Sequence, residues 1–498
     1  MHASLNTPSK MPHGAPRFRS QNGLQRTIQW RGRRRDRWLG ATAVWLGVAA
    51  VPALSRPAVA GPAPRGPDPE ARVLVVVLDA VPFESARRFT RPAEGERPLL
   101  PTLEGPVPLV SSFPSSTSVA LTSILSPFGL ELPPGYENKF YDHLADRVRG
   151  GTLGSYGKIR FDWHHFFDWQ LRGFFSKSKA YAKPLKYNER EIRKALQAFE
   201  ASDQRAFFVY VNSTDATGHA HGPDALRAAF ETLDEELAGL RARSEWPIYL
   251  VLLSDHGIGG GEVLENVYPV VKKHLRSSGF RKRKSLDREG AVVLTPFGLV
   301  SSFEAYTRPG AAAAVARSLV SVPGVDLCAL PEGAGWAVLD GDGRAVIERR
   351  RRARGVEWAY RPEDADPLDY TRVVSELDRA SPGDGFHGEE AWFEATHDAT
   401  YPDALFRLAS AFELVQNPAS VVCSVADDYL FGSKSASFGA RISVGRLHWT
   451  HGGLKRDETL GFLMTDFPGW RPHGPVRFDR ALEFLAGHLD PTRIGNHR

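Results

Sequence analysis

The sequence predicts an α/β fold built on a mostly parallel central sheet, with an inserted α+β subdomain. Three observations carry this expectation. Apolar runs at Arg72–Leu78, Phe207–Val211 and Ile248–Leu253 lack the polar alternation of a half-exposed strand, so each reads as a strand covered on both faces. Helical stretches at Asn188–Ser202 and Asp224–Arg243 lie between them, and strands alternating with helices indicate parallel crossovers. Each run also ends in polar residues: Asp79 after the first, Asn212 and Asp215 after the second, Ser254, Asp255, His256 and Gly257 after the third. Ligands of open α/β sheets gather beyond the carboxyl ends of the strands, and a shared site is expected there.

At 498 residues the chain exceeds the ~250–300 residues at which one core stops growing. The pattern changes near Val292: a strand-like stretch leads to an alanine-rich helix over Pro309–Val320, then to two runs around Asp340–Gly343 that predict a hairpin. The expected order is an export signal or membrane anchor at 1–60, a linker at 61–70 and the first part of the main α/β domain at 71–290. An inserted α+β subdomain follows at 291–395, then the second part of the main domain at 396–490 and a tail at 491–498. The arginine run Arg349–Arg352 is expected on a solvated hairpin end.

Charge separates the N-terminus from the rest. Residues 1–60 carry ten Lys/Arg against one acidic residue, Asp36, a charge of +9; the chain total of +5 leaves −4 for the remainder. A nucleic-acid-binding surface is therefore not inferred from the high pI. Basic residues Arg31–Arg37 precede an uncharged stretch from Trp38 to Leu54, and Ala58-Val59-Ala60 offers small residues for cleavage. That layout predicts export to the periplasm or outside the cell. An uncleaved membrane anchor is the competing outcome, since roughly 17 apolar residues can span a bilayer. The two cysteines, Cys328 and Cys423, sit in apolar surroundings and read as buried thiols, with a disulfide left open.

Six residues stand out as a set: Asp79, Asp215, His219, Asp255, His256 and His451. Three carboxylates and three imidazoles are the donors of two zinc-like divalent ions. Asp215 and His219, four apart, share one face of a helical turn, and Gly257 relieves crowding after Asp255-His256. Upstream, the loop Ser111–Ser116 runs into a small-residue helix beginning near Thr117. A hydroxyl there would meet free N–H groups and the positive end of the helix dipole, which suits an anionic substrate. The aromatic segment Phe161–Trp169, with Phe174 and Phe175, reads either as a lid over the site or as a contact with the insertion. His164, His165, His221 and His448 are surplus to the six.

These residues, in this order over roughly 72–260 and 400–470, resemble the alkaline phosphatase superfamily, most closely its type I phosphodiesterase/nucleotide pyrophosphatase branch. The resemblance implies a three-layer α/β/α sandwich and a metal-dependent phosphoric ester hydrolase acting on a small-molecule ester. It implies that Thr117 is the nucleophile, with Ser112 and Ser115 as rival hydroxyls, and that a phosphothreonine intermediate forms. Asp79, Asp255 and His256 would hold the ion that activates Thr117, while Asp215, His219 and His451 would hold the second. Asn138 would contact a phosphate oxygen. This sequence departs from the family's pattern at Ser126-Pro127, where the nucleophile helix usually closes on Thr-Gly, and at Ser116, where a lysine is frequent. A phosphomonoesterase would use the same six ligands, and an inactive binding protein could keep the scaffold. No sulfatase signature follows Thr117.

Overall fold

The computed structural model describes residues 68, 70–151, 161–171, 183–261, 263–353, 355–433, 447–471 and 473–489. The expected signal or anchor, almost all of the linker, the tail and Phe174-Phe175 lie outside them. Among the described residues no helix is long and apolar enough to cross a membrane.

The main sheet has seven strands: β1 (Arg72–Leu78), β2 (Glu104–Val110), β3 (Trp169–Gln170), β4 (Ala206–Val211), β5 (Ile248–Leu253), β6 (Leu460–Thr465) and β7 (Val476–Arg477). Their order across the sheet is β7-β2-β6-β5-β1-β4-β3. All neighbours run parallel except β6, which is antiparallel to both β5 and β2. The apolar runs are explained by the two covered faces. Leu74, Val76 and Leu78 enter a core with Ile192, Phe199, Phe230 and Leu233. Val73, Val75 and Val77, on the opposite face, pack with Leu121, Ile124, Phe208 and Leu482. Helices Pro184–Glu200 and Arg227–Arg243 cover the first face, and helix α1 (Thr117–Ile124) covers the second. This is the three-layer α/β/α sandwich. Helix Pro184–Glu200 shows the local grammar: Pro184 occupies the first turn, where its missing N–H is harmless, and Ile192, Ala195, Leu196 and Phe199 form the buried stripe.

Register sets the site. Val77 pairs with both Tyr210 and Leu253, so Asp79, Asn212 and Asp255, each two residues further on, emerge level with one another. The reversed strand β6 adds the remaining contribution. Its N-terminal end lies beside the carboxyl ends of its neighbours, so the loop feeding it arrives at the same edge. That loop carries His451.

A second, nine-stranded sheet takes up the region from Arg281 to Val425. Its pairings are antiparallel apart from Arg281–Arg283 against Ala291–Leu294. The expected hairpin is present, Gly335–Leu339 pairing with the start of Arg344–Arg352. Asp340 shapes the turn by accepting N–H groups from Asp342 and Gly343 at 2.9 and 2.8 Å. The sheet extends past both ends of 291–395. Its strand Val421–Val425 is covered on both faces, Val422 in one core and Val421, Cys423 and Val425 in another. It therefore reads in sequence like a strand of the main sheet. Arg349 and Arg350 pair with Glu413 and Glu357 at 2.5 and 2.6 Å, which neutralises much of the basic run.

Among the described residues, the aromatic segment Phe161–Trp169 packs on the main sheet rather than over the site or against the insertion. Phe161, Trp163 and Phe167 are buried on the main sheet, with the rings of Trp163 and Phe167 5.4 and 5.5 Å from that of Tyr210. The cysteines, read as buried thiols, form a disulfide. They stand directly opposite on adjacent antiparallel strands, a pairing that strands 95 residues apart in sequence could not reveal beforehand. Reduction is expected to lower stability by about 2–4 kcal/mol, the usual worth of a bond closing a long loop. Comparison of thermal unfolding with and without reductant, alongside thiol titration, checks this; free thiols in the native protein would contradict the pairing.

Candidate metal centre

Asp79 leaves β1 at a sharp turn, where Ala80 takes a φ of 57°. For a residue with a Cβ this conformation is uncommon and costs of order 1 kcal/mol or more. The surroundings hold it: Ala80 N–H donates to Asp255 Oδ1 at 3.2 Å and Val81 N–H to Ser254 Oγ at 2.8 Å. Asp79 Oδ2 accepts from the Tyr210 hydroxyl and, at 3.0 Å, from the Asn212 amide. Its Oδ1 is left facing His256 Nε2 at 3.6 Å. Asp79, Asp255 and His256 thus present donor atoms within 4.8 Å of one another.

Helix α2 (Ser213–His221) carries the second group. Its N-terminus is anchored by the buried carboxylate of Glu191, which accepts N–H groups of Asn212 and Ser213 at 3.1 and 2.9 Å, favourable at the positive end of a helix. One turn on, His219 Nε2 reaches Asp215 Oδ1 at 3.1 Å, and His451 Nε2 meets the same oxygen at 3.3 Å. These three form a second set within 4.8 Å. The His256 and His451 rings stack 4.2 Å apart, so the two sets adjoin. The structure brings together all six residues singled out in the sequence.

Each imidazole is oriented from behind. Nδ1–H donates to Trp449 O from His219 (2.8 Å), to Gly257 O from His256 (2.9 Å) and to Ser115 O from His451 (3.2 Å). A carbonyl at Nδ1 fixes the tautomer and leaves Nε2 as the inward lone pair, the usual support of a metal-binding histidine. The carboxylates are equally prepared. Burial, then the charges of Asp255 and Asp215, push Asp79 well above the usual carboxylate range. Burial raises Asp255 to about 7 and lowers His256 to about 4. It also opposes the Asp215 anion, but His219 and His451 outweigh it and hold that carboxyl well below its ordinary value. Asp255 Oδ2 is buried and accepts no hydrogen bond. A lone buried carboxylate oxygen is costly unless a cation satisfies it, and the donor set fits divalent ions.

Thr117 opens α1, and its hydroxyl lies 3.3 Å from Asp79 Oδ1 and 3.4 Å from His256 Nε2. The rival hydroxyls point elsewhere: Ser112 Oγ donates to Pro114 O, and Ser115 Oγ turns to Ser112 O and Gly453 O. Asn138 immediately precedes the small hairpin Lys139–Asp142/Arg147–Gly150. Its carbonyl accepts Gly151 N–H at 3.2 Å, its side-chain amide makes no hydrogen bond among the described residues, and no contact places it on the six. Its neighbour Glu137 is pushed up to about 8 by burial, then by Glu304 and Asp215. His164, His165, His221 and His448 join neither set among the described residues. A cavity of about 560 Å³, bordered by Pro82, Phe83, Arg91, Ile258, Trp449 and Arg456, runs beside the centre but contains none of the six.

Sequence reasoning missed Tyr210, Glu191 and the supporting role of Asn212. Tyr210 is separated from Asn212 by one residue in β4, and the parallel register was the signal that could have placed both beside Asp79. Gly257 was legible for a reason the structure sharpens: a Cβ there would lie 2.2 Å from Asp457 O and 2.9 Å from Leu460 O. Gly257→Ala is expected to cost about 1–3 kcal/mol or more, because backbone cannot yield as a side chain can, with loss of bound metal. Denaturant unfolding and metal analysis check it; an unperturbed variant would contradict the crowding. Chelation is expected to lower the unfolding temperature and an added divalent metal to restore it, by about 4 kcal/mol per occupied site when ion exceeds Kd a thousandfold.

Residues 131–317 match the family model described as type I phosphodiesterase/nucleotide pyrophosphatase. The match takes in Asn138, Asp215, His219, Asp255 and His256. No curated protein matches the chain. Among solved structures, murine ectonucleotide pyrophosphatase/phosphodiesterase 5 is 13% identical, covering 84% of this chain and 94% of that one with a TM-score of 0.42. The human protein of that name is 11% identical over the same shares, TM-score 0.44. Phosphonoacetate hydrolase from Sinorhizobium meliloti 1021, in complex with phosphonoformate, is 14% identical over 86% of this chain and 98% of that one, TM-score 0.43. Likenesses this distant carry no argument about chemistry. The resemblance to type I phosphodiesterases/nucleotide pyrophosphatases is carried by the family match over 131–317.

Proposed function

We propose that this chain is a metal-dependent phosphoric ester hydrolase of the phosphodiesterase/nucleotide pyrophosphatase type, acting through Thr117 on a small-molecule ester. The observation that carries this is the Thr117 hydroxyl at the head of a buried helix, within 3.4 Å of both Asp79 and His256 and beside the adjoining second set. Asp79, Asp255 and His256 would hold one divalent ion and Asp215, His219 and His451 another, zinc by donor type, and such a pair supplies Lewis-acid charge that activates the hydroxyl and neutralises phosphoryl oxygens.

The remaining work falls to the chain. Thr117 Oγ1 loses its proton to solvent and attacks phosphorus as the bond to the leaving oxygen breaks, and the departing alcohol takes a proton from solvent. Water then cleaves the phosphothreonine, restoring the hydroxyl and releasing the other half of the substrate. N–H groups at the first turn of α1 are the donors available to non-bridging oxygens, and the resemblance would add the Asn138 amide to them. Export is proposed with this activity. The charge layout of residues 1–60 supports it, as does the Cys328–Cys423 bond, since disulfides persist in oxidising compartments.

The test uses metal-reconstituted protein with a bis-aryl phosphate diester, an aryl phosphate monoester and an aryl sulfate. The diester is expected to turn over fastest; a faster monoester would make the enzyme a phosphomonoesterase on the same ligands. Thr117→Ala is expected to lower diester turnover by about 10³-fold or more, as loss of a nucleophile does, while both ions stay bound. Unchanged turnover in that variant would remove Thr117 from the chemistry.

A further inference from the structure

Arg407 is fully buried in the helix Ala404–Ser410, and the chemistry proposed above does not use it. A guanidinium has five N–H donors in a fixed fork, and here five acceptors meet them. Nε donates to Ser111 O at 2.8 Å, and Nη1 to Pro402 O and Leu454 O at 3.0 Å each. Nη2 donates to Ser112 O and Ser115 Oγ at 3.1 Å each. Apart from Pro402, these acceptors lie on two stretches far apart in sequence: the loop entering α1 and the loop leaving His451.

Ser115 joins the two stretches directly. Its N–H donates to Gly452 O at 3.1 Å and its hydroxyl to Gly453 O at 3.0 Å. Its carbonyl receives the Nδ1–H of His451 at 3.2 Å. Thr117 stands two residues beyond Ser115, and His451 immediately precedes Gly452. Building on the hydrolase reading above, we infer that Arg407 is a positioning residue, acting through Ser115 to set the Thr117 hydroxyl and the His451 imidazole relative to each other. It touches neither. Burial lowers its guanidinium to about 9, with Asp403 opposing the shift, so the group remains a cation at neutral pH. Lysine cannot substitute, because three donors on one nitrogen do not span acceptors arranged around a planar fork.

Two variants test this in full-length protein: Arg407→Lys, and Ser115→Ala, which removes only the bridging hydroxyl. Circular dichroism establishes folding, a two-step zinc competition titration gives both affinities, and steady-state kinetics on the bis-aryl diester give kcat and KM. In both variants the zinc step of the His451 set is expected to lose about 10–100-fold in affinity, the usual effect of removing a group that orients a ligand. The other step is expected to hold within about twofold, and kcat to fall by about 10–100-fold with KM little changed. A merely structural role would lower the unfolding temperature without separating the two zinc affinities. A folded Ser115→Ala with both affinities and kcat within about twofold of wild type overturns the inference, and decides it alone if Arg407→Lys does not fold. Wild-type protein that binds two zinc ions but hydrolyses no phosphate ester overturns the hydrolase reading instead, while the zinc affinities still decide the role of Arg407.

Discussion

Three aspartates share one buried space, and the cost of keeping charge there is the constraint around which the centre is organised. Asp79, Asp215 and Asp255 are all buried, out of reach of the bulk water that would stabilise their anions. Two answers to that cost are visible. Asp215 keeps its charge by drawing two imidazoles onto one oxygen. Asp79 and Asp255 are instead pushed toward their neutral forms, a state that a divalent cation reverses by supplying the missing charge. The Tyr210 hydroxyl, the Asn212 amide and the Ala80 N–H satisfy outward-facing oxygens, leaving the remaining ones to face inward.

The fold meets this constraint with little local invention. A parallel ladder in register delivers Asp79, Asn212 and Asp255 to one level, and the strain at Ala80 is held by partners from the neighbouring strand's exit. The reversed strand of the main sheet, β6, supplies from the far end of the chain what parallel crossovers cannot. Its loop brings His451 to the shared edge, and Ser115 and Arg407 lock that loop to the head of α1. Precision of this kind rests on rigid elements and satisfied hydrogen bonds rather than on loop chemistry.

What could be seen in the sequence follows from range. Doubly covered strands announce themselves by composition, and Asp215 and His219 by helical spacing, because both signals are local. The Asp340–Gly343 turn belongs with them. Val421–Val425 carries no mark of the sheet it joins, since a strand buried on both faces looks alike in a parallel or an antiparallel sheet. The aromatic run Phe161–Trp169 misled for a related reason: rings that cover a sheet face and rings that close over a pocket have the same composition. Arg407, Glu191 and the Cys328–Cys423 bond depend on partners far along the chain. An isolated arginine in a helix carries no mark that separates a solvated side chain from one satisfied by five buried acceptors.

The reversed strand has a consequence for the order in which this centre can come into being. Asp79, Thr117, Asp255 and His256 have all been synthesised once the first 256 residues are made, whereas His451 must wait for nearly two hundred more. Synthesis runs from the N-terminus and domains tend to fold as they emerge. The nascent chain therefore passes through an interval in which one cation cradle has all its side chains and the other lacks its third, with the whole antiparallel sheet still being made between them.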